Sequence, residues 1–388
     1  MTRSSQPCTP DPRTPVVAIV GGGASGSLLA AQLLRRQHRS DLRIVLIERR
    51  GRFGPGVAYS TPWRFHRLNV RAEEMGAPPR DPRHFLRWAS ARGEGVVLGD
   101  FAPRGLYGSY LAELLDEADR TAIGGAALER VSDDVTAIVP AEPGMRRQIS
   151  LRLRSGETVC ADRVVLALGN LAPAKPPGSD PQLVAGGRYV ADPWHPAMAE
   201  WISGDEQILL LGTGLTMVDV ALTIESANPF ARIHAVSRKG LLPQRHRSGP
   251  SLPPRRFPSP ADRVLLDEAV RSVQSEISEA VAEGGDWRQV VDSMRPVTNQ
   301  IWRRLSVPDQ RRFVGGLARH WDIHRHRMAP EIAVGLGRLR RSGRLQTSSG
   351  SIESIRAHGS RVGRGRSRTA SRAAARRSQP DRAPARCS

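Results

Sequence analysis

Two glycine turns, each preceded by a short apolar run and followed by a helical pattern, constrain this chain more than any other feature. The first is Val16-Val17-Ala18-Ile19-Val20 leading into Gly21-Gly22-Gly23-Ala24-Ser25-Gly26. The second is Ile208-Leu209-Leu210-Leu211 leading into Gly212-Thr213-Gly214-Leu215-Thr216-Met217-Val218-Asp219. One G-x-G-x-x-G is weak evidence of a nucleotide site. Two glycine turns in strand–turn–helix context imply a chain that holds two dinucleotides. The pairing that chemistry favours is a flavin and a nicotinamide, face to face for hydride transfer.

In the first turn each glycine has a task. Gly21 permits the sharp exit from the strand, Gly23 lets a pyrophosphate approach the backbone, and Gly26 lets the helix pack closely on the sheet. The amides of Ala24 and Ser25 open a helix whose N-terminus offers free N–H groups and partial positive charge to phosphate. The helix is expected over 27–36, with Leu28, Leu29, Leu33 and Leu34 as its apolar stripe. A second strand, Arg43-Ile44-Val45-Leu46-Ile47, ends at Glu48, 22 residues after Gly26. An acid roughly 20 residues on grips a ribose 2′-hydroxyl. FMN has no adenosine ribose, so Glu48, with Arg49 beside it, points to FAD.

The second turn lacks that acid. Its helix is expected over about 215–227, and its next strand, Ile233-His234-Ala235-Val236, ends in Ser237-Arg238-Lys239. A carboxylate there would repel a 2′-phosphate, whereas a hydroxyl and two cations attract it, so NADPH is favoured over NADH, with Arg238 its main contact. Met217 stands where the third glycine would, which loosens helix packing but not the turn.

At 388 residues, 25% charged and 39% hydrophobic, the chain is long enough for two domains and globular in composition. Three cysteines, Cys8, Cys160 and Cys387, form neither a disulfide framework nor a C-x-x-C pair, which fits a reducing cytoplasm. The uncharged stretch 16–34 is too glycine-rich to read as a signal or membrane segment, so no membrane association is expected.

The net charge of +20 is misleading, because 356–388 alone contributes +9, from ten Arg and one Asp. This segment has no aromatic residue and cannot build a core. It is expected to be disordered. Two readings stay open: a genuine basic arm that binds nucleic acid or membrane, or a frameshifted end. The second is favoured because only Lys175 and Lys239 are Lys among the 58 basic residues, the mark of a GC-rich gene, and an out-of-frame stretch of such a gene gives this Arg/Ala/Gly/Pro/Ser mixture. Nucleic-acid binding is expected only if the tail is genuine.

Several further pieces carry a family resemblance. They are Gly54-Pro55-Gly56-Val57-Ala58-Tyr59, His66-Arg67-Leu68-Asn69-Val70, His84-Phe85-Leu86-Arg87-Trp88, Pro103-Arg104, Tyr107-Gly108-Ser109-Tyr110-Leu111 and Leu166-Ala167-Leu168-Gly169-Asn170. Ser237-Arg238-Lys239-Gly240-Leu241-Leu242-Pro243 and the run from Trp321 to Pro330, W-D-I-H-R-H-R-M-A-P, complete the set. Together they resemble the bacterial FAD/NAD(P)-binding proteins grouped with FAD-dependent urate hydroxylases and amino-acid N-hydroxylases. The resemblance runs from about Val16 to Ile355 and implies a flavin monooxygenase-like protein. Members of that grouping continue further and close with another strand, so the resemblance implies a truncated or unusual chain here. It also implies that Val135 meets the adenine through its backbone, although 132–139 reads equally well as plain sheet.

From the residues themselves, Arg163-Val164-Val165-Leu166-Ala167-Leu168-Gly169 is a buried strand whose Gly169 returns the chain to the cofactor crevice. Asn69 is either a flavin or substrate contact or a turn residue. Pro173 to Pro177 form a hinge, and from Ala261 to about Leu339 the pattern is helical. His320 and His324 have zinc-ligand spacing, but no third ligand is evident and no metal is expected; 324–327 is expected to line a cleft or face water.

The expected architecture is α/β, with two Rossmann-like dinucleotide-binding lobes, a helical insertion and a basic tail. Its parts are an FAD-binding domain at 14–172, an NAD(P)-binding lobe at 178–250, the insertion at 258–340 and the tail at 356–388. The expected activity is reduction of FAD by NADPH, followed by hydroxylation of a small polar nitrogen-containing substrate. A flavin reductase without oxygenation and an inactive nucleotide-binding fragment stay open. No catalytic side chain is identified, because the isoalloxazine carries such chemistry.

Overall fold

A computed structural model describes residues 14–36, 41–140, 149–171, 173–176, 178–185, 189–200, 207–249, 252, 255, 264–356 and 373–375. The chain divides into two compact units, Met1–Ala172 and Pro173–Ser388.

The first unit contains β1 (Val16–Val20), α1 (Ala24–Leu34), β2 (Leu42–Ile47), α2 (His84–Ala91) and α3 (Arg104–Arg120). β3 (Ala126–Val131), β4 (Val135–Val139), β5 (Ile149–Leu153), β6 (Thr158–Ala161) and β7 (Arg163–Leu166) follow. The order β3-β2-β1-β7 makes a parallel sheet, and β4-β5-β6 make an antiparallel one. The side-chain period of two splits β1 and β2 between two cores. Ile19, Ile44 and Leu46 join Ala30 and Leu34 of α1 and Leu111 and Leu115 of α3. Val16, Ala18, Val20, Val45 and Ile47 join Leu151, Leu153 and Ala161 of the antiparallel sheet. β1 and β2 are therefore covered on both faces, which is why they read as continuous apolar runs, whereas β7, expected as a buried strand, is half-open, with Leu166 exposed.

The second unit contains α4 (Pro181–Ala185), β8 (Gln207–Leu211), α5 (Leu215–Ala227) and β9 (Arg232–Ser237). Six helices come next: α6 (Leu266–Ala282), α7 (Trp287–Ser293), α8 (Thr298–Arg304), α9 (Val307–Arg312), α10 (Ala318–Arg325) and α11 (Pro330–Arg341). A π-helical turn, Phe313–Leu317, separates α9 from α10. The chain then returns as β10 (Leu345–Ser349), parallel to β9, so the sheet order is β10-β9-β8. The helical segment is thus inserted between the second and third strands of one sheet.

α5 buries Met217, Val218, Val220, Ala221, Leu222 and Ile224. α11 crosses it closely, since a Cβ on Gly335 would lie 3.2 Å from Leu222 Cδ2. Within the insertion, Asp286 caps α7 by accepting from the Arg288 amide at 2.7 Å, and Ser306 caps α9 by accepting from the Asp309 amide at 3.2 Å. The Arg327 guanidinium, only 1% exposed, pairs with Asp292 of α7 and lies over the Trp287 ring. It joins the segment after α10 to α7.

β11 (Ile352–Ile355) pairs antiparallel with β12 (Ala373–Ala375). The expectation of a disordered tail falls on residues outside the described ones, apart from this short strand. No helix among the described residues is long and apolar enough to cross a membrane.

A very close backbone approach lies where β1 meets α1. A Cβ on Gly26 would come 1.9 Å from the Gly21 carbonyl oxygen. We expect Gly26→Ala to force the turn open and cost at least roughly 1–3 kcal/mol. Chemical denaturation of the variant and the parent measures this, and coincident curves would show that the turn has room for a methyl group.

Candidate functional site

The first glycine turn is built by backbone approach. Gly21 has φ 106°, a conformation that side chains rarely adopt, and a Cβ there would collide with the Ala167 carbonyl at 2.2 Å. The chain leaving β7 therefore runs directly past the turn, with the Ala167 amide donating to the Val20 carbonyl at 2.8 Å. Gly169, exposed at φ 66°, follows two residues later. The helix begins at Ala24, three residues before the sequence-based expectation, because Gly23 serves as its N-cap. No side chain caps α1, and Ser27 Oγ instead donates backward to the Gly22 carbonyl at 2.8 Å. The first-turn amides of Ala24 and Ser25 are thus not claimed by a cap, as an anion site requires.

Glu48 stands at the end of β2. Its carboxylate accepts from the Gly22 amide at 2.9 Å and from the Arg50 amide at 3.1 Å. It is thereby fixed beside the turn with lone pairs to spare for a hydroxyl donor. Arg49 is exposed. The Gly54-Pro55-Gly56 loop closes over this arrangement: the Gly54 amide donates to the Gly22 carbonyl at 2.9 Å, and a Cβ on Gly23 would lie 3.3 Å from Gly56 Cα. Gly108 of α3 supports the loop, since its Cβ would meet the Tyr59 carbonyl at 2.3 Å. Burial raises the Tyr59 phenol above its usual range, against a lesser opposing pull from Arg104. The residues fit a flavin dinucleotide in one specific sense: the uncapped amides of Ala24 and Ser25 and the pinned Glu48 carboxylate stand at one turn, while Gly23 must be glycine because a Cβ would press on the Gly56 backbone at 3.3 Å.

Asn69 and Val135 lie elsewhere in the same unit. Asn69 is half-buried in a loop held by the Leu68 amide on the Ala102 carbonyl (2.9 Å) and by Arg104 Nε on the Arg67 carbonyl (2.9 Å). Val135 opens β4, pairs with Leu153 and packs against the second core of the unit.

The second turn is more open. Gly212 has φ 112°, and neither it nor Gly214 would bring a Cβ within 4 Å of another group. Gly214 is the N-cap of α5, again with no side-chain cap. Thr213 Oγ1 donates to the Leu241 carbonyl at 2.6 Å and lies 2.8 Å from Ser237 Oγ. Ser237 Oγ also accepts from the Gly240 amide at 3.0 Å, and Lys239 Nζ donates to the Gly316 carbonyl at 2.9 Å. Of the three residues expected to greet a 2′-phosphate, Ser237 and Lys239 are thus tied to the fold, while Arg238 is exposed.

A cavity of about 320 Å³ opens at this turn, with Gly214, Leu215 and Thr216 on one side and Arg319, Asp322 and His326 on the other. Of the segment 324–327, expected to line a cleft or face water, His326 lines this cavity, whereas Arg327 is buried and paired with Asp292. His324 bonds through Nδ1 to the His320 carbonyl oxygen at 2.7 Å and meets the Trp287 ring edge-on at 4.8 Å. The signal that would have found the cavity wall is the spacing 319, 322, 323, 326, one face of a helix. Partial desolvation and then Arg325 hold His326 below the usual imidazole range.

Residues 18–171 match the model of the FAD-NAD(P)-binding family. The fold of the chain is shared with two amino-acid hydroxylases. One is an L-lysine 6-monooxygenase from Pseudomonas syringae, at 17% identity over 88% of this chain and 73% of that one, with a TM-score of 0.52. The other is the reduced form of an ornithine hydroxylase from Pseudomonas aeruginosa, at 14% identity over 89% and 75%, with a TM-score of 0.54. No curated protein matches the sequence.

The contrast between the turns yields a test. Because nothing lies within 4 Å of a Cβ on Gly214, Gly214→Ala should leave the melting temperature unchanged. The new methyl should nonetheless obstruct pyrophosphate and weaken nicotinamide dinucleotide binding, measured by calorimetric titration. A variant that binds as tightly as the parent would remove Gly214 from the site.

Proposed function

We propose that this chain is an FAD-dependent oxidoreductase reduced by NADPH, and that it hydroxylates a small, polar, nitrogen-containing substrate. The observation that carries the reading is the first turn, where an uncapped helix N-terminus, the side-chain-free Gly21, Gly23 and Gly26 and the pinned carboxylate of Glu48 converge. The amides of Ala24 and Ser25 take the FAD pyrophosphate, and Glu48 accepts from the adenosine ribose. Arg49, Asn69, Val135 and Gly169 complete the proposed flavin contacts. When bound, FAD supplies two-electron acceptance from NADPH and the oxygen chemistry of hydroxylation.

Gly212, Thr213 and Gly214 hold the reductant, and Arg238 selects it. The guanidinium lies at the end of β9 where an acid would sit in an NADH-specific turn. The shared fold of the lysine and ornithine hydroxylases supports an amine-bearing substrate.

The first experiment is the visible spectrum of the purified protein, followed by anaerobic titration with NADPH and then by oxygen with candidate amines. A flavin bleached by NADPH, with hydroxylated amine formed on reoxidation, is expected. Bleaching followed only by peroxide release, whatever the amine, would leave a reductase and remove the hydroxylase. Gly23→Trp should fill the pyrophosphate cradle and give colourless protein; full flavin content in that variant would overturn the FAD site.

Arg238→Ala tests the reductant. Loss of one charge-assisted contact, about 1.5–3 kcal/mol, should weaken NADPH some 10- to 100-fold and leave NADH nearly unchanged. Equal losses for both would exclude a 2′-phosphate contact.

A further inference from the structure

The helical insertion is wired to the second glycine turn. The Leu241 carbonyl accepts from Thr213 Oγ1 in the turn at 2.6 Å and from Arg319 in α10 at 3.1 Å. The chain on either side of α10's end is zipped to the loop after β9. The Gln244 amide donates to the Ile323 carbonyl, the Met328 amide to the Gln244 carbonyl and the His246 amide to the Met328 carbonyl, each at 2.9 Å. The buried Arg327, paired with Asp292, fixes the segment from the other side. α10 is therefore held rigidly opposite the start of α5, and the cavity between them is part of the fold.

We propose that this face of α10 is the outer wall of the second dinucleotide site, with Arg319 and His326 taking the pyrophosphate of the nicotinamide dinucleotide and Asp322 the adjoining ribose hydroxyls. The proposal rests on the reading of the second turn as a nicotinamide dinucleotide site.

Three observations carry it. The cavity is lined by the α5 first-turn residues, so an anion there meets the helix N-terminus on one side and the α10 face on the other. Arg319 is half-buried, and one hydrogen bond to Leu241 sets its position while leaving further N–H donors for a ligand. Asp322 excludes a bare anion as the intended occupant. A carboxylate in the same cavity would repel inorganic phosphate, yet it suits a ligand whose negative centre is flanked by neutral hydroxyl donors. A ribose joined to a diphosphate has that pattern. At about 320 Å³ the cavity is at the small end of ligand sites, sized for part of a dinucleotide.

This wall differs from Arg238 in what it recognises. Pyrophosphate and ribose are common to NADPH and NADH, whereas Arg238 is proposed to meet only the 2′-phosphate. The two should therefore separate in a binding experiment that needs no turnover.

The full chain, with its flavin, is titrated calorimetrically with NADP+, NAD+ and inorganic pyrophosphate. Arg319→Ala should weaken NADP+ and NAD+ by the same factor, about 10- to 100-fold. Arg319→Gln, which keeps a donor for Leu241 but loses the charge, should show the same loss with an unchanged melting temperature, which sets a folding defect apart. Asp322→Asn should weaken both dinucleotides and tighten pyrophosphate. If the parent binds NADP+ and Arg319→Gln binds both dinucleotides equally well, the wall assignment is wrong and the reading of the turn stands. Tighter dinucleotide binding by Asp322→Asn would also overturn the assignment. A parent that binds neither dinucleotide would overturn the reading of the turn and the wall together.

Discussion

The carbonyl of Gly21 occupies the place where a side chain on Gly26 would project, and that single approach organises the first domain. It brings α1 down onto the end of β1. The same closure leaves the Gly22 amide pointing at β2, where Glu48 accepts it, and the Gly22 carbonyl pointing at the 54–56 loop, where the Gly54 amide donates to it. Strand, helix, acid and covering loop are thus indexed to one turn only a few residues long. A side chain at any of several of these positions would displace more than its own neighbourhood.

The second unit reaches a comparable end by different means. Its glycines are not forced by crowding, since no group stands near their missing side chains. What holds the turn is polar: Thr213 is fixed by Ser237 and Leu241, and Leu241 is shared with Arg319 from the insertion. Close packing shapes one cradle and a hydrogen-bonded junction shapes the other, which fits the looser motif ending in Met217 rather than glycine.

Local features of the fold were legible in the sequence, and long-range ones were not. Both glycine turns, α5 at Leu215–Ala227 and the strands leading into the turns announce themselves because each is a continuous pattern of neighbouring residues. β10 does not. Its Leu345-Gln346-Thr347-Ser348-Ser349 carries one buried apolar residue, because it is an edge strand whose pairing with β9 comes from far along the chain. Ser237 and Lys239 look like phosphate ligands as residue types, but Ser237 is engaged by Thr213 and Gly240, and Lys239 is steered by a bond to the Gly316 carbonyl, which residue type alone does not reveal. His320 and His324 share a helix face, yet the face that opens onto the cavity is the adjacent one, and periodicity cannot say which face a partner covers. The tail's basic composition was plain, but the strand Ala373–Ala375 within it was not anticipated.

The interrupted sheet also has a consequence for how the protein is made. His234 on β9 bonds Ser348 on β10 across 114 positions of sequence, with the whole helical insertion between them. Closing so long a loop is entropically unfavourable until the intervening helices have folded and drawn its ends together. During synthesis at roughly 5–20 residues per second, β9 emerges on the order of ten seconds before the strand that will pair with it. Through that interval one side of β9 is an open edge, apolar at Ile233, Ala235 and Val236, to which a strand from another nascent chain could pair. The speed with which the insertion folds on the ribosome thus sets how long each new chain is exposed to aggregation.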